Sequence, residues 1–200
     1  MPKRYKPPSP GWRMFLREHM RHTVAMDMFV VFTLTYRILY GLVLVHHKRR
    51  KIVHFAVTAN PSQDWLSREL VAACKSNAIP RYLLRDRDAL YGKRFRDSVR
   101  ELGIQEVVAA RQSPWQNIYV ERVIGSIRSE CLNHVVVMNE QHLRYVLASY
   151  VQYYNKSRTH ISLDKDCPDP RPVETSANGK HIVALPEVGG LHHRYMRRAA

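Results

Sequence analysis

Short apolar runs alternate along the chain with stretches of helical period. Val24–Thr33 is apolar and β-rich, and Arg37–Val45 follows closely enough to be its antiparallel partner. A basic turn, His46-His47-Lys48-Arg49-Arg50-Lys51, leads into a third run, Ile52–Thr58. From Pro61 to about Asn77 the period changes, with Trp65, Leu66, Leu70, Val71 and Cys74 at helical spacing. Arg81–Leu84 reads as a short fourth strand, Tyr91–Leu102 as a helix stopped by Gly103, and Ile104–Val108 as a fifth strand. Within Ala110–His134, Val120, Val123, Ile124, Ile127 and Cys131 form one apolar helical face. Ser113, Pro114 and Gln116 suit an N-cap, an N1 proline and a capping-box member. A later helix start would instead leave Arg111 to Asn117 as a loop. Asn139–Asn155 is the last long helix, burying Leu143, Val146, Leu147, Tyr150 and Tyr154. Three strands in a row, then strand–helix repeats, predict an α/β core: a five-stranded mixed sheet with helices on both faces.

The flanks differ. Met1 to Arg21 (residues 1–21) is a basic, proline-containing arm that Trp12, Phe15 and Leu16 could pin to the core (22–157). Residues 158–200 form a proline-containing basic extension with no predicted element. Lysine and arginine number 32 against 17 acids, a formal charge of +15 that points to a polyanion, nucleic acid being the commonest. Cys74, Cys131 and Cys167 lie far apart and suit a reducing compartment rather than a disulfide framework. The apolar stretch Val24 to Val45 is broken by Asp27 and Arg37, so no membrane span is expected. No glycine-rich phosphate loop is present, which argues against nucleotide-triphosphate chemistry.

Chemistry concentrates on carboxylates. Asp27 stands in an apolar strand, where an ionised acid is costly unless a cation compensates, and Arg37 on the next strand is one candidate. Asp86 sits just past the fourth strand, where α/β sheets gather ligands. Asn117, Glu121, Gly125 and Arg128 form a second helical stripe beside the apolar one. One acid mid-strand, one at a strand end and one on a helix could meet around a hard divalent cation.

These residues carry a resemblance. Val-Ala-Met-Asp27, Leu-Leu-Arg-Asp86-Arg-Asp, and Ser-Pro-Trp-Gln-Asn-Ile-Tyr-Val-Glu121 with Arg128 resemble the catalytic core of DDE transposases and retroviral-type integrases. The likeness is greatest to bacterial insertion-sequence transposases with an integrase core domain. Thirty-four residues separate Asp86 from Glu121, near the family interval, and Glu121 to Arg128 matches its Glu-x6-Lys/Arg pattern. Tyr154-Asn155-Lys156-Ser157-Arg158-Thr159-His160 is similar to the family's Tyr-Asn-x-x-Arg-x-His segment. The likeness runs from about Thr23 to Pro172. One departure is that Arg87-Asp88-Ala89-Leu90-Tyr91-Gly92 intervenes before Phe95 where the family carries Asp-x-Gly-x-x-Phe/Tyr, which leaves Asp88 as an alternative to Asp86.

The resemblance implies a ribonuclease H-like fold, an Asp27-Asp86-Glu121 triad and two Mg²⁺ (or Mn²⁺) ions, about 3.5–4 Å apart, supporting DNA cleavage and strand transfer. It further implies that Arg128, Asn117, Arg111, Lys48, Arg49, Arg50 and Lys51 grip DNA at transposon ends and target. It implies a homo-oligomer on DNA in a bacterial cytoplasm, associated with the nucleoid. A separate helix-turn-helix subunit joins the candidate partners, because no such motif precedes the core. The alternative is a non-catalytic DNA-binding or assembly module.

Overall fold

The three leading runs form a meander, and the two later strands add parallel to its first strand, giving one five-stranded sheet. The computed structural model describes residues 10–110, 113–172 and 180–199. Strands β1 (Thr23–Phe32), β2 (Ile38–His46) and β3 (Lys51–Thr58) are antiparallel, while β4 (Tyr82–Arg85) pairs parallel with β1 and with β5 (Gln105–Val108). Helices α2 (Gln63–Ser76) and α3 (Lys93–Glu101) cover one face; α4 (Ile118–Glu130) and α5 (Glu140–Lys156) cover the other. The sheet is a ribonuclease H-like arrangement, as the pattern and the resemblance together predict.

Strand alternation explains the two cores. Val24, Met26, Leu42 and Leu44 pack with Trp65, Leu66, Leu70, Phe95 and Val99. Ala25, Phe29, Val43 and Val45 face the other way, onto Val120, Val123, Ile127, Leu143, Leu147 and Tyr150. Each fully buried aliphatic side chain of this kind contributes roughly 1.5–3 kcal/mol. Ser62 caps α2 by accepting the Trp65 N–H at 3.1 Å, and Asn139 caps α5 through the His142 N–H at 2.8 Å. Gly41 lies inside β2 because a Cβ there would come within 2.5 Å of the Phe29 ring.

Three stretches add to or narrow the sequence pattern. Helix α4 begins at Ile118, after a single 3-10 turn over Pro114–Gln116, so the later of the two starts is the one adopted. The basic extension is not featureless: β6 (Lys180–Glu187) and β7 (His192–Ala199) form an antiparallel ribbon. His192 anchors it, stacking on Tyr153 at 4.3 Å and bonding the Glu130 carbonyl at 2.8 Å. The arm contains a helix of its own, α1 (Pro10–His19), whose Phe15 and His19 rings pack on Tyr82 at 5.3 and 4.9 Å. Among the described residues no helix is long and apolar enough to cross a membrane.

Candidate active site

Parity places the acids. Asp27 shares the face of Ala25 and Phe29, beneath α4. Parallel pairing of Ala25 with Leu84 leads the chain to Asp86, one residue past the end of β4, near enough for its charge to act on Asp27. Glu121 lies in the first turn of α4, above that face. Arg37 does not neutralise Asp27: it sits exposed in the β1–β2 turn, while Asp27 pairs with Val43. The Asp27 carboxylate instead accepts the Met28 N–H at 2.8 Å.

The electrostatics follow from this arrangement. Burial pushes the Asp27 carboxyl up to about 7; the Met28 hydrogen bond opposes the rise, and the negative charges of Asp86, Glu121 and Asp88 add to it. Glu121 is also raised, by desolvation and then by Asp86. Asp86 accepts the Asp88 N–H at 3.2 Å, whereas Asp88 closes the turn on the Leu90 N–H at 2.8 Å and is exposed. Arg85, 5% exposed, ties this strand end to β5 through Glu106 and donates to the Asp86 carbonyl at 2.8 Å. Among the described residues, no three His, Cys, Asp or Glu side chains stand close enough to enclose a metal ion.

Sequence reasoning passed over Tyr91. Its ring is buried with the Arg85 guanidinium 5.0 Å from the centroid, and its hydroxyl has no hydrogen-bond partner. Burial, then the charges of Asp27, Asp86 and Asp88, hold that hydroxyl well above the ordinary tyrosine range. It stands five residues after Asp86, the interval at which the family pattern carries its aromatic, so the signal was present.

The expected DNA contacts divide. Arg128 is exposed, donating to the Val30 carbonyl at 3.3 Å and lying over Phe29. Lys48 is also exposed. Arg49, by contrast, pairs with Asp166 at 2.8 Å and bonds the Pro168 carbonyl, and Lys51 pairs with Asp169 at 2.6 Å. Arg50 bonds Ser162 and lies 5.0 Å from the Tyr119 ring. Asn117 is only 3% exposed, turned inward at the start of α4 with its Oδ1 unpartnered. Arg111 lies outside the described residues. Most of the basic turn therefore fastens residues 162–169 to the sheet.

The Tyr-Asn-x-x-Arg-x-His segment is architectural as well. Asn155 exchanges two hydrogen bonds with the Ile52 backbone, at 3.0 and 2.8 Å, and Arg158 makes a two-pronged pair with Glu130 at 2.8 and 2.6 Å. Tyr150 donates to the same carboxylate at 2.8 Å. His47, fully buried against Tyr119 at 4.9 Å, is pushed down to about 4 by burial and then by His46 and Arg50, so it is neutral at pH 7.

Comparison with known proteins bears on the fold and on part of the chain. Residues 102–168 match the integrase core domain family. The chain is 29% identical over 138 residues to an uncharacterized 39.2 kDa protein of insertion element IS476 from Xanthomonas euvesicatoria, covering 68% of this chain and 39% of that protein. It is 27% identical over 148 residues to an uncharacterized 31.7 kDa protein of insertion element IS407 from Burkholderia multivorans, covering 74% and 53%. The chain thus spans between 39% and 53% of the length of these relatives. Its fold is that of the HTLV-2 integrase catalytic core domain solved with magnesium (TM-score 0.60, 11% identity, 74% of this chain and 93% of that one). The catalytic domain of Mos1 mariner transposase is similar (TM-score 0.56, 11% identity, 70% and 74%). A third of the chain thus matches the integrase core domain family, and the fold is that of integrase and transposase catalytic cores. The curated proteins it resembles are products of bacterial insertion elements.

Proposed function

We propose that this chain is the catalytic core of an insertion-element transposase, cutting DNA and joining its ends to a target through Asp27, Asp86 and Glu121. The observation that carries the reading is that three acids distant in sequence come from β1, the end of the neighbouring parallel β4 and the first turn of the overlying α4, with the charges of Asp86 and Glu121 felt at Asp27 and that of Asp86 at Glu121. The donor set suits a divalent cation: all three are hard oxygen ligands, and among the described residues no cationic side chain lowers the proton affinity of Asp27. When bound, Mg²⁺ or Mn²⁺ stabilises the charge on the attacking and leaving oxygens of a phosphodiester. Asp27, held rigidly in β1, and Asp86, at the end of β4, would be the fixed ligands, with Glu121 presented from α4. Asp86 suits this role better than Asp88 because it is half-buried one residue past the end of β4, whereas Asp88 is exposed and further along the turn. Arg128 and Lys48 would hold the phosphate backbone.

The rival reading, a DNA-binding or assembly module without turnover, draws on one observation: the three acids do not by themselves enclose an ion. An oligonucleotide assay separates the two. The chain is incubated with the ends of its own element and Mn²⁺, and cleaved and joined strands are resolved. Activity in wild type with a fall of at least 10³-fold in Asp27→Asn, Asp86→Asn and Glu121→Gln, at unchanged DNA affinity, supports transposition. Equal activity in the variants removes the triad.

A further inference from the structure

The tip of the β1–β2 hairpin is bare in a way the active-site reading does not use. Phe32 is 62% exposed, Leu34 56%, Tyr36 87% and Ile38 44%, and beside them Val136 is 61% and Met138 53% exposed. The two segments are joined, since the Leu34 N–H donates to the Val137 carbonyl at 2.7 Å and Val137 itself is buried in the core. The tip is rigid: the Thr33 N–H bonds the Arg37 carbonyl at 2.9 Å, and Thr33 Oγ1 accepts the Arg37 N–H at 3.0 Å. Tyr36 is held at φ +58°, a conformation bulky residues seldom adopt, with its ring in solvent.

We infer that this patch, residues 32–38 with 136–138, is an interface between two copies of the chain. Size is the first argument. Six large apolar side chains, roughly half to nine-tenths bare, present on the order of the 800 Å² per partner that a standard interface buries. Monomers seldom leave so large an apolar surface uncovered. Charge is the second. A chain of net charge +15 repels its own copies, and the repulsion is weakest where charge is missing; of these ten residues only Arg37 is charged. A nucleic acid would be drawn to lysine and arginine elsewhere, because aliphatic side chains offer phosphates nothing. The patch meeting itself about a twofold axis would satisfy both copies at once.

The test needs neither metal nor DNA, so its outcome is independent of the transposase reading. Sedimentation velocity of the full chain in about 0.5 M salt, where repulsion is screened to within several ångströms, should show a concentration-dependent monomer–dimer equilibrium. Leu34→Glu should weaken the dimer at least tenfold. Tyr36→Gly should weaken it too, and since glycine suits the positive φ, loss of folding cannot account for the change. Ile161→Glu, at a bare site elsewhere, should leave association unchanged. A wild-type chain that stays monomeric, or variants that dimerise as wild type does, would overturn the inference. So would variants that lose duplex affinity with association intact, which would assign the patch to nucleic acid.

Discussion

Asp27 shows what a site costs the fold that carries it. Its carboxyl is raised from the ordinary 3.8 to about 7, so the folded chain holds a proton that the unfolded chain releases. Stability contributed here is therefore greatest at low pH and declines as pH rises from about 4 through 7. Asp27→Asn removes that penalty and should raise the melting temperature at pH 8, a displacement of this size being worth at most about 4 kcal/mol. The gain should shrink towards pH 4; thermal unfolding at the two pH values measures it, and a pH-independent change would contradict the assignment. Asn155 represents the opposite case, a polar group whose loss strands others. Asn155→Leu leaves both the N–H and the carbonyl of Ile52 without their partner and should cost about 2–4 kcal/mol in urea unfolding. Asp27 stands out in the sequence because a carboxylate in an apolar run is conspicuous. Tyr91 could not be read so easily, since an aromatic before a helix looks like ordinary core.

Among the elements, α4 was the most legible, because its apolar stripe at 120, 123, 124, 127 and 131 demands burial whatever it packs on. Its start was ambiguous because Ser113-Pro114 offers good capping chemistry that the 3-10 turn over Pro114–Gln116 overrides. The ribbon of β6 and β7 was hidden: Pro186, two glycines and the histidine–arginine run carry no strand signal, and only docking through His192 and Val188 gives it a core. Apparent DNA-binding residues were misleading for the same reason, since the sequence shows the charge of Arg49 and Lys51 but not the carboxylates of Asp166 and Asp169 that receive them. The Glu130–Arg158 pair is the fastening between α4 and the segment after α5. Burial raises the Glu130 carboxyl, but hydrogen bonds from Arg158 and Tyr150 outweigh it and hold the group below its usual range. That stability is present above the unfolded value of 4.5 and lost as pH falls through the lower folded value. Glu130→Gln should thus cost about 2 kcal/mol at pH 7 and progressively less on acidification, as read by thermal unfolding.

On the scale of the whole molecule, a net charge of +15 would, under the proposed function, draw DNA towards a site made of acids. DNA affinity should fall by on the order of 10³ between 50 and 200 mM salt if about six phosphates are contacted. Lys48→Ala should reduce the slope of log affinity against log salt by about one. Arg49→Ala should leave the slope unchanged and lower stability instead, because its guanidinium is spent on the chain's own residues 166–168. Fluorescence anisotropy across a salt series measures both. The account as a whole rests on Asp27, Asp86 and Glu121 acting as one ligand set. Its most direct test is anomalous diffraction from a crystal of this chain grown or soaked with Mn²⁺. The account predicts manganese density bonded to oxygens of all three carboxylates, and manganese bound elsewhere on the surface, with these three acids unligated, would contradict it.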